Sequence, residues 1–564
     1  MTGRRVLIAL SVLVALVVLL VVAGQLSQRI PDQSVLRLRI AGPVAEEDWP
    51  DFSAEFWEGE VTVFRHLLDA LERARRDDRI AGVSLEIQSV GMSFGKVQEL
   101  RSKLSEFVGS GKFCTAYLEE GDNLSYYLAT ACPEVYLTPT SNVFLTGLMG
   151  HSTFRRGTLD KLRIYPDIHH IAEYKTAKNI WTEKKYTRAH REMVVSILEG
   201  LQGQMVEGIA TGRKLEAAEV KRHLGEGPYL AEEARERKLV DGLLYKDEYR
   251  KLLEQKAGVD ELETISVSSY RERTSAPSGP TIAIVHASGL ILTGKSGYSP
   301  SAGRIMGSDT VAGHLRAARR DDSVKAIVLR VDSGGGAALA SEIIRRELRL
   351  AKEKKPVVAS MSDVAASGGY WISMSANKIV ADAGTLTGSI GVVYGKMNLR
   401  GLYNLLGLSK DQVALTPNAT LFYSFQNFTP AQRALVRKGM RNIYDNFLAG
   451  VSDGRGLPVN EVDRIGKGRV WLGAQAKELG LVDEVGGLET AVAVAKELAG
   501  IAPEQSVSYR VYPEEKSTWE KLQDWIHVRA SSPIPPPRVW LDPARSPLTR
   551  ERALVLMPFD LQVQ

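Results

Sequence analysis

Ser367 stands in the run Ala365-Ala366-Ser367-Gly368-Gly369-Tyr370, directly before a helix-like stretch at residues 370–375. A serine at such a turn presents its hydroxyl at a helix start, where backbone N–H groups point at an incoming carbonyl oxygen, as in an oxyanion hole. The same letters also spell a plain N-cap followed by flexible glycines, the commoner meaning of an isolated Ser-Gly-Gly. A second glycine cluster bears on the choice. Asp332-Ser333-Gly334-Gly335-Gly336 follows an apolar run ending at Val331, at the carboxyl edge where α/β sheets place their ligands. Its N–H groups are candidates for a second oxyanion donor, and an ordinary glycine turn is the alternative. No Gly-Lys-Ser/Thr follows, so a P-loop is not expected.

A serine nucleophile needs a base, usually histidine. None lies between His314 and His527. His151, His169, His170 and His190 remain formal candidates, in contexts that resemble surface or core histidines. Lys175, within Glu173-Tyr174-Lys175-Thr176-Ala177-Lys178, is the better candidate. An ordinary lysine titrates near ~10.4, so service as a base at neutrality requires a fall of roughly 3 units, which burial in an apolar setting can supply. Against this stands a solvated lysine among others, since Lys178, Lys184 and Lys185 are close by.

The elements that must bring these residues together are legible because the chain contains one pattern twice. Ala-Arg-Arg-Asp-Asp at residues 74–78 recurs at 318–322, and the offset of 244 holds through two apolar runs and the segment between them. Farther on it slips to about 242: Leu239-Val240-Asp241 answers Leu481-Val482-Asp483. Repeats of this size mean two copies of one fold. The copies differ at the chemistry. Where the second has Ala366-Ser367-Gly368-Gly369-Tyr370, the first has Asp122-Asn123-Leu124-Ser125-Tyr126, and where the first has Lys175 the second has a lysine-free stretch near residues 417–420. Apolar runs at residues 35–40, 82–87, 281–286, 326–331, 357–361 and 378–381 read as strands, and residues 62–76 and 311–320 as helices. Strands alternating with helices predict an α/β fold with mostly parallel pairing in each copy.

The chain's 564 residues accommodate two such copies. We expect residues 31–265 and 281–507 to form them, joined by a Ser- and Arg-rich linker at 266–280, with a Pro/Arg-rich tail at 508–564 to which no role is assigned. Residues 6–23 are apolar apart from Ser11 and follow Arg4-Arg5. A helix of that length spans roughly 27 Å, close to a bilayer core, so residues 1–30 read as an N-terminal transmembrane anchor in preference to a cleaved signal peptide. Positive charge before the span puts the body outside the cytoplasm, on the periplasmic side of a bacterial inner membrane. The formal net charge of +5 is dispersed and leaves no nucleic-acid footprint. Cys114 and Cys132 are read as buried, inert core residues, with a bridge between them the less favoured reading; they cannot build a metal site. No cofactor and no metal are expected.

Taken together, the Lys-Thr-Ala at 175–177, Ala365-Ala366-Ser367-Gly368-Gly369-Tyr370, Leu386-Thr387-Gly388-Ser389-Ile390-Gly391, the anchor and the duplication resemble the long, duplicated form of signal peptide peptidase A, or protease IV, over roughly residues 60–500. The resemblance implies a serine protease with two tandem ClpP/crotonase-like repeats, Ser367 as nucleophile and Lys175 as general base. It implies that Ser389 orients the lysine and that Gly368 and a glycine of Ser333-Gly334-Gly335-Gly336, chosen as Gly335, donate to the oxyanion. The family's motif has a proline here that this chain lacks. It further implies membrane-anchored homotetramers that cut remnant signal peptides and other unfolded hydrophobic segments. Val364 and Ala365 are the expected substrate-pocket residues. The competing readings are a crotonase-type enzyme acting on acyl thioesters, and a non-catalytic membrane scaffold.

Overall fold

The computed structural model describes residues 29–48, 61–299, 302–514, 520, 554–557 and 562–563. The apolar run at residues 6–23, expected to be an anchor, lies outside them; among the described residues no helix is long and apolar enough to cross a membrane.

Each copy builds an α/β layer around a largely parallel sheet. In the first, strands run in the spatial order Gly242–Leu243, Glu134–Leu137, Phe113–Leu118, Ile80–Gly91, Ser34–Ala45 and Thr264–Ser266, all parallel. The second repeats this as Glu484–Val485, Lys378–Ala381, Val357–Ala366, Val324–Ser333, Thr281–Ser288 and Ser508–Tyr512. The cause is visible in burial: strands such as Val324–Ser333 and Val357–Ala366 are buried on both faces, as continuous Val/Ile/Ala runs demand when helices cover a sheet from both sides. The amphipathic helices Phe64–Arg76 and Ser308–Arg320 stand at equivalent places, each burying an apolar stripe.

The equivalence reaches single bonds. Tyr126 Oη donates to the Leu239 carbonyl at 2.7 Å and Tyr370 Oη to that of Leu481 at 2.8 Å. Arg213 pairs with Asp241 at 2.6 Å, and Arg455 with Asp483 at 2.8 Å.

Three boundaries and pairings differ from expectation. The segment read as a linker is ordered in its first half. Ser266 accepts from Ser269 N, capping the helix Val267–Arg273, and Tyr270 is fully buried with its hydroxyl on Asp77. The second copy runs past residue 507, because Ser508–Tyr512 is the counterpart of Thr264–Ser266 at the sheet edge. Cys114 and Cys132 form a disulfide: the strand Phe113–Leu118 and the turn after the helix Asn123–Ala129 bring their Cα atoms to 5.1 Å.

Between the copies lies a buried ionic lattice. Arg330, in the middle of an apolar strand of the second copy and without solvent exposure, meets Glu46 Oε2 at 2.9 Å, Glu99 Oε2 at 2.6 Å and Ser360 Oγ at 2.9 Å. Lys96 of the first copy meets Asp332 at 2.6 Å and Asp363 at 2.8 Å. Charges this deep persist only when paired and hydrogen-bonded.

Candidate active site

Ser367 sits at the sharp turn where the strand Val357–Ala366 becomes the helix Gly368–Ser373. Its φ of 58° and ψ of −110° are rare for a residue with a side chain, a strain of about 1–3 kcal/mol that the surroundings must hold. They do so through Ser367 N donating to the Gly388 carbonyl at 2.8 Å and Trp371 N donating to the Ser367 carbonyl at 2.8 Å. The two glycines that follow are required by crowding. A Cβ on Gly369 would lie 2.4 Å from the Ser333 carbonyl oxygen, and one on Gly368 would lie 3.0 Å from Gly335 Cα. The Ser-Gly-Gly turn therefore packs directly on the glycine loop. In the first copy Asp122 accepts from Ser125 N as an ordinary N-cap of the equivalent helix.

Lys175 reaches this turn from the other copy. The first-copy strand Tyr165–Ile171 pairs antiparallel with Val392–Asn398 of the second, Ile171 opposite Val392, and Lys175 follows four residues later. A loop of the second copy clasps its backbone: Tyr174 N donates to the Lys467 carbonyl at 2.7 Å, and Gly468, with φ +75°, lies so close that a Cβ there would be 2.6 Å from that of Lys175. His170 Nδ1 lies 2.9 Å from the Lys175 carbonyl.

The amine ends 2.7 Å from Ser367 Oγ, 2.8 Å from Ser389 Oγ and 2.7 Å from the Ser389 carbonyl oxygen, all within one chain. Lys175, Ser367 and Ser389 have no solvent exposure, and among the described residues no carboxylate offsets the charge. Burial holds the lysine well below its ordinary range. A neutral amine has two N–H bonds and one lone pair. The carbonyl can only accept, so one N–H goes there; the other fits Ser389 Oγ, which leaves the lone pair for the Ser367 proton.

The remaining candidates fall as follows. Gly368 opens the helix beside Ser367, with its amide at the turn. The Gly335 N–H donates to Ser333 Oγ at 3.1 Å, so a substrate oxygen competes with that hydroxyl for it. Val364 and Ala365 are neighbours on a strand and face opposite sides, Val364 packing on the first copy's core and Ala365 within the second's, so they do not share one pocket wall. His169 bonds Asp167 at 3.0 Å, His190 is buried and pushed down to about 4, and among the described residues no histidine bonds Ser367.

Sequence reasoning missed the supports. Gly468, Lys96 and Arg330 carry no motif; Gly468 follows the lysine in space only, and Lys96 ties Asp332 to Asp363, just before the glycine loop and just before Val364. Asp332 Oδ1 also accepts from Val364 N at 3.2 Å. A charged residue in an apolar run, as Arg330 is, was the one signal available.

A strained serine on a helix start, a desolvated lysine against it and glycine amides beside it define a serine hydrolase site in a duplicated α/β chain. Residues 106–260 and 349–502 match Peptidase family S49, one match per copy. The chain belongs to that family and is a serine protease. It is 34% identical over 492 residues to the Serine protease SPPA, chloroplastic, of Arabidopsis thaliana, covering 85% of this chain and 71% of that one. It is 32% identical over 484 residues to Protease 4 of Salmonella typhi, covering 83% and 77%. Among solved structures, a mutant of the 1510-N membrane-bound stomatin-specific protease in complex with a substrate peptide aligns with 44% of this chain and 97% of that one, at 16% identity and a TM-score of 0.27.

Proposed function

We propose that this serine protease works through a Ser367–Lys175 dyad on ClpP/crotonase-like repeats. The observation that carries the reading is the 2.7 Å approach of a wholly buried lysine amine to the hydroxyl of a strained serine. Neutral Lys175 takes the Ser367 proton as Oγ attacks the peptide carbonyl. The amides of Gly368 and Gly335 stabilise the oxyanion, with Ser389 holding the amine in place. Lys175 then gives its proton to the leaving amine, and a water deprotonated by the same lysine releases the acyl group.

The substrates in this reading are remnant signal peptides and other unfolded hydrophobic segments. Residues 6–23 anchor a homotetramer in a bacterial inner membrane with both repeats on the periplasmic side. The Cys114–Cys132 disulfide fits an oxidising compartment. Active-site labelling tests the dyad: a fluorophosphonate is expected to modify Ser367, faster as pH rises, and to leave Lys175→Ala unmodified. Equal labelling of the two proteins would overturn it.

A further inference from the structure

One short loop of the second copy, residues 467–471, braces Lys175 and Ser389 together. Tyr174 N donates to the Lys467 carbonyl at 2.7 Å, Gly468 N to that of Ile390 at 2.8 Å, and Ser389 N to that of Arg469 at 2.7 Å. The side chain of Arg469 closes the arrangement across the copies. Its guanidinium lies 4.9 Å from the ring centre of Tyr174, in the first copy, and 4.5 Å from that of Trp471, in the second, within cation–π range of each. Nη1 donates at 2.7 Å to Glu192 Oε1, on the first-copy helix Arg188–Arg213, and the same oxygen accepts from Tyr174 Oη at 3.0 Å. Trp471 is fixed in turn. Its Nε1 donates to the Ile465 carbonyl at 3.0 Å, and its strand Val470–Leu472 pairs antiparallel with Leu386–Gly388, which leads directly into Ser389.

The duplication tells this clamp apart from the shared scaffold. At the offset of 242, Arg469 answers Gly227, Glu192 answers Ala434 and Tyr174 answers Thr416. At Gly227 a Cβ would lie 2.3 Å from the Leu145 carbonyl oxygen, so that copy has no room for a side chain there. The three residues occur together once, at the crossing where the first copy delivers Lys175 to the second. As an ion pair, Arg469 and Glu192 hold little, because Glu192 is 49% exposed and water screens the attraction. What the pair does is aim the guanidinium, which is 16% exposed, at the Tyr174 ring. Tyr174 directly precedes Lys175, so a fixed ring fixes the point from which the lysine side chain starts.

We infer that Arg469 is a positioning residue which, through Tyr174 and Glu192, holds Lys175 against Ser367 and keeps its surroundings dry. This rests on the dyad reading above. The amine bonds Ser367 Oγ and the hydroxyl and carbonyl of Ser389, and burial is what depresses its proton affinity. Of the charged or titratable groups on the segments around it, His170, Glu173, Lys178, Glu192, Lys467 and Arg469, none bonds the amine. A segment freed from the clamp lets the amine drift from Ser367 and admits water beside it. The first effect lowers kcat, and the second returns the lysine toward its ordinary titration range.

The test compares the full-length protein with its Arg469→Met, Arg469→Lys and Glu192→Gln variants, measuring kcat and KM for an apolar peptide from about pH 6 to 10. Arg469→Met is expected to lose about 10²-fold in kcat, the effect of a misplacement near 1 Å, with KM within about twofold. The rising limb of its pH profile should move up by about one unit as the lysine regains water. Arg469→Lys keeps the charge without the planar fork and should recover only part of the loss. Glu192→Gln alters an exposed side chain and leaves the core intact. Its limb should also move up, whereas loss of a negative charge alone would move it down. An unchanged kcat and limb in Arg469→Met, or a downward move in Glu192→Gln, would overturn the inference. Fluorophosphonate labelling separates the two failures: if the dyad reading fails, Lys175→Ala labels as fast as the unaltered protein, whereas if only the clamp fails, Lys175→Ala stays unlabelled and Arg469→Met labels at the unaltered rate.

Discussion

The three oxygens around the Lys175 amine determine what it can do. With a carbonyl and two hydroxyls as partners and no carboxylate, the charged form loses its hydration without compensation, and the neutral form gains a lone pair aimed at Ser367. Activity is therefore expected to climb with pH through the depressed lysine pKa and then level off; a flat profile between about pH 6 and 9 would remove Lys175 from the base role. Ser367→Ala and Lys175→Ala should each lower kcat by at least about 10⁴-fold in a peptide-cleavage assay, without loss of fold. The same desolvation has a cost in stability. Because the folded-state pKa lies below the unfolded one, the unfolded chain binds more protons between the two values, and stability rises with pH across that window, up to about 10.4. Lys175→Met should remove this slope and raise the melting temperature at pH 7, which differential scanning calorimetry at several pH values would detect.

At the scale of elements, the dyad depends on pieces that hold backbone in unfavourable places. Gly468 at φ +75° leaves no room for a Cβ beside Lys175, so Gly468→Ala should displace the lysine segment and lower kcat by about 10²-fold, the penalty of a misplacement near 1 Å, with KM little changed. The ends of the strands Val324–Ser333 and Val357–Ala366 are tied by Lys96 through Asp332 and Asp363. Removing one partner of a buried ion pair strands the other charges. Arg330→Met, which strips Glu99 of its guanidinium partner and leaves Glu46 with only the more distant Lys96 at 3.6 Å, is expected to destabilise the protein by about 3–5 kcal/mol in urea unfolding. The corresponding double change, with Glu46→Gln added, should recover part of that loss.

At the scale of the molecule, duplication let each copy lose what the other retained while the scaffold stayed the same. The Tyr126 and Tyr370 hydroxyls and the Arg213–Asp241 and Arg455–Asp483 pairs still match, yet one copy caps its helix with Asp122 where the other bends at Ser367. The copies are joined covalently through an exposed stretch at residues 275–276, but they are held by the shared sheet at Tyr165–Ile171 and by the ionic lattice. A protease site inserted between Ser275 and Ala276, once cut, should leave two fragments that co-elute in size-exclusion chromatography and keep kcat within about twofold, because packing rather than linkage carries the interface. Separation of the fragments with loss of activity would refute this.

The sequence by itself determined the duplication, the alternation of strands and helices, and the division of Ser367 and Lys175 between copies, because periodicity, repeats and glycine-rich turns are local properties of the chain. Strand positions such as residues 326–331 and 378–381 were legible for the same reason, and they occur within Val324–Ser333 and Lys378–Ala381. Only the tertiary structure decided that the lysine arrives on a strand lent to the other copy's sheet, that Gly468 and Lys96 support the site, and that Cys114 meets Cys132. It also seated the tail between Gly335 and Val393, a pairing with no trace in composition. Each of these joins residues far apart along the chain, and what brings them together is the burial of common surface, a property of the folded whole that no stretch of sequence carries.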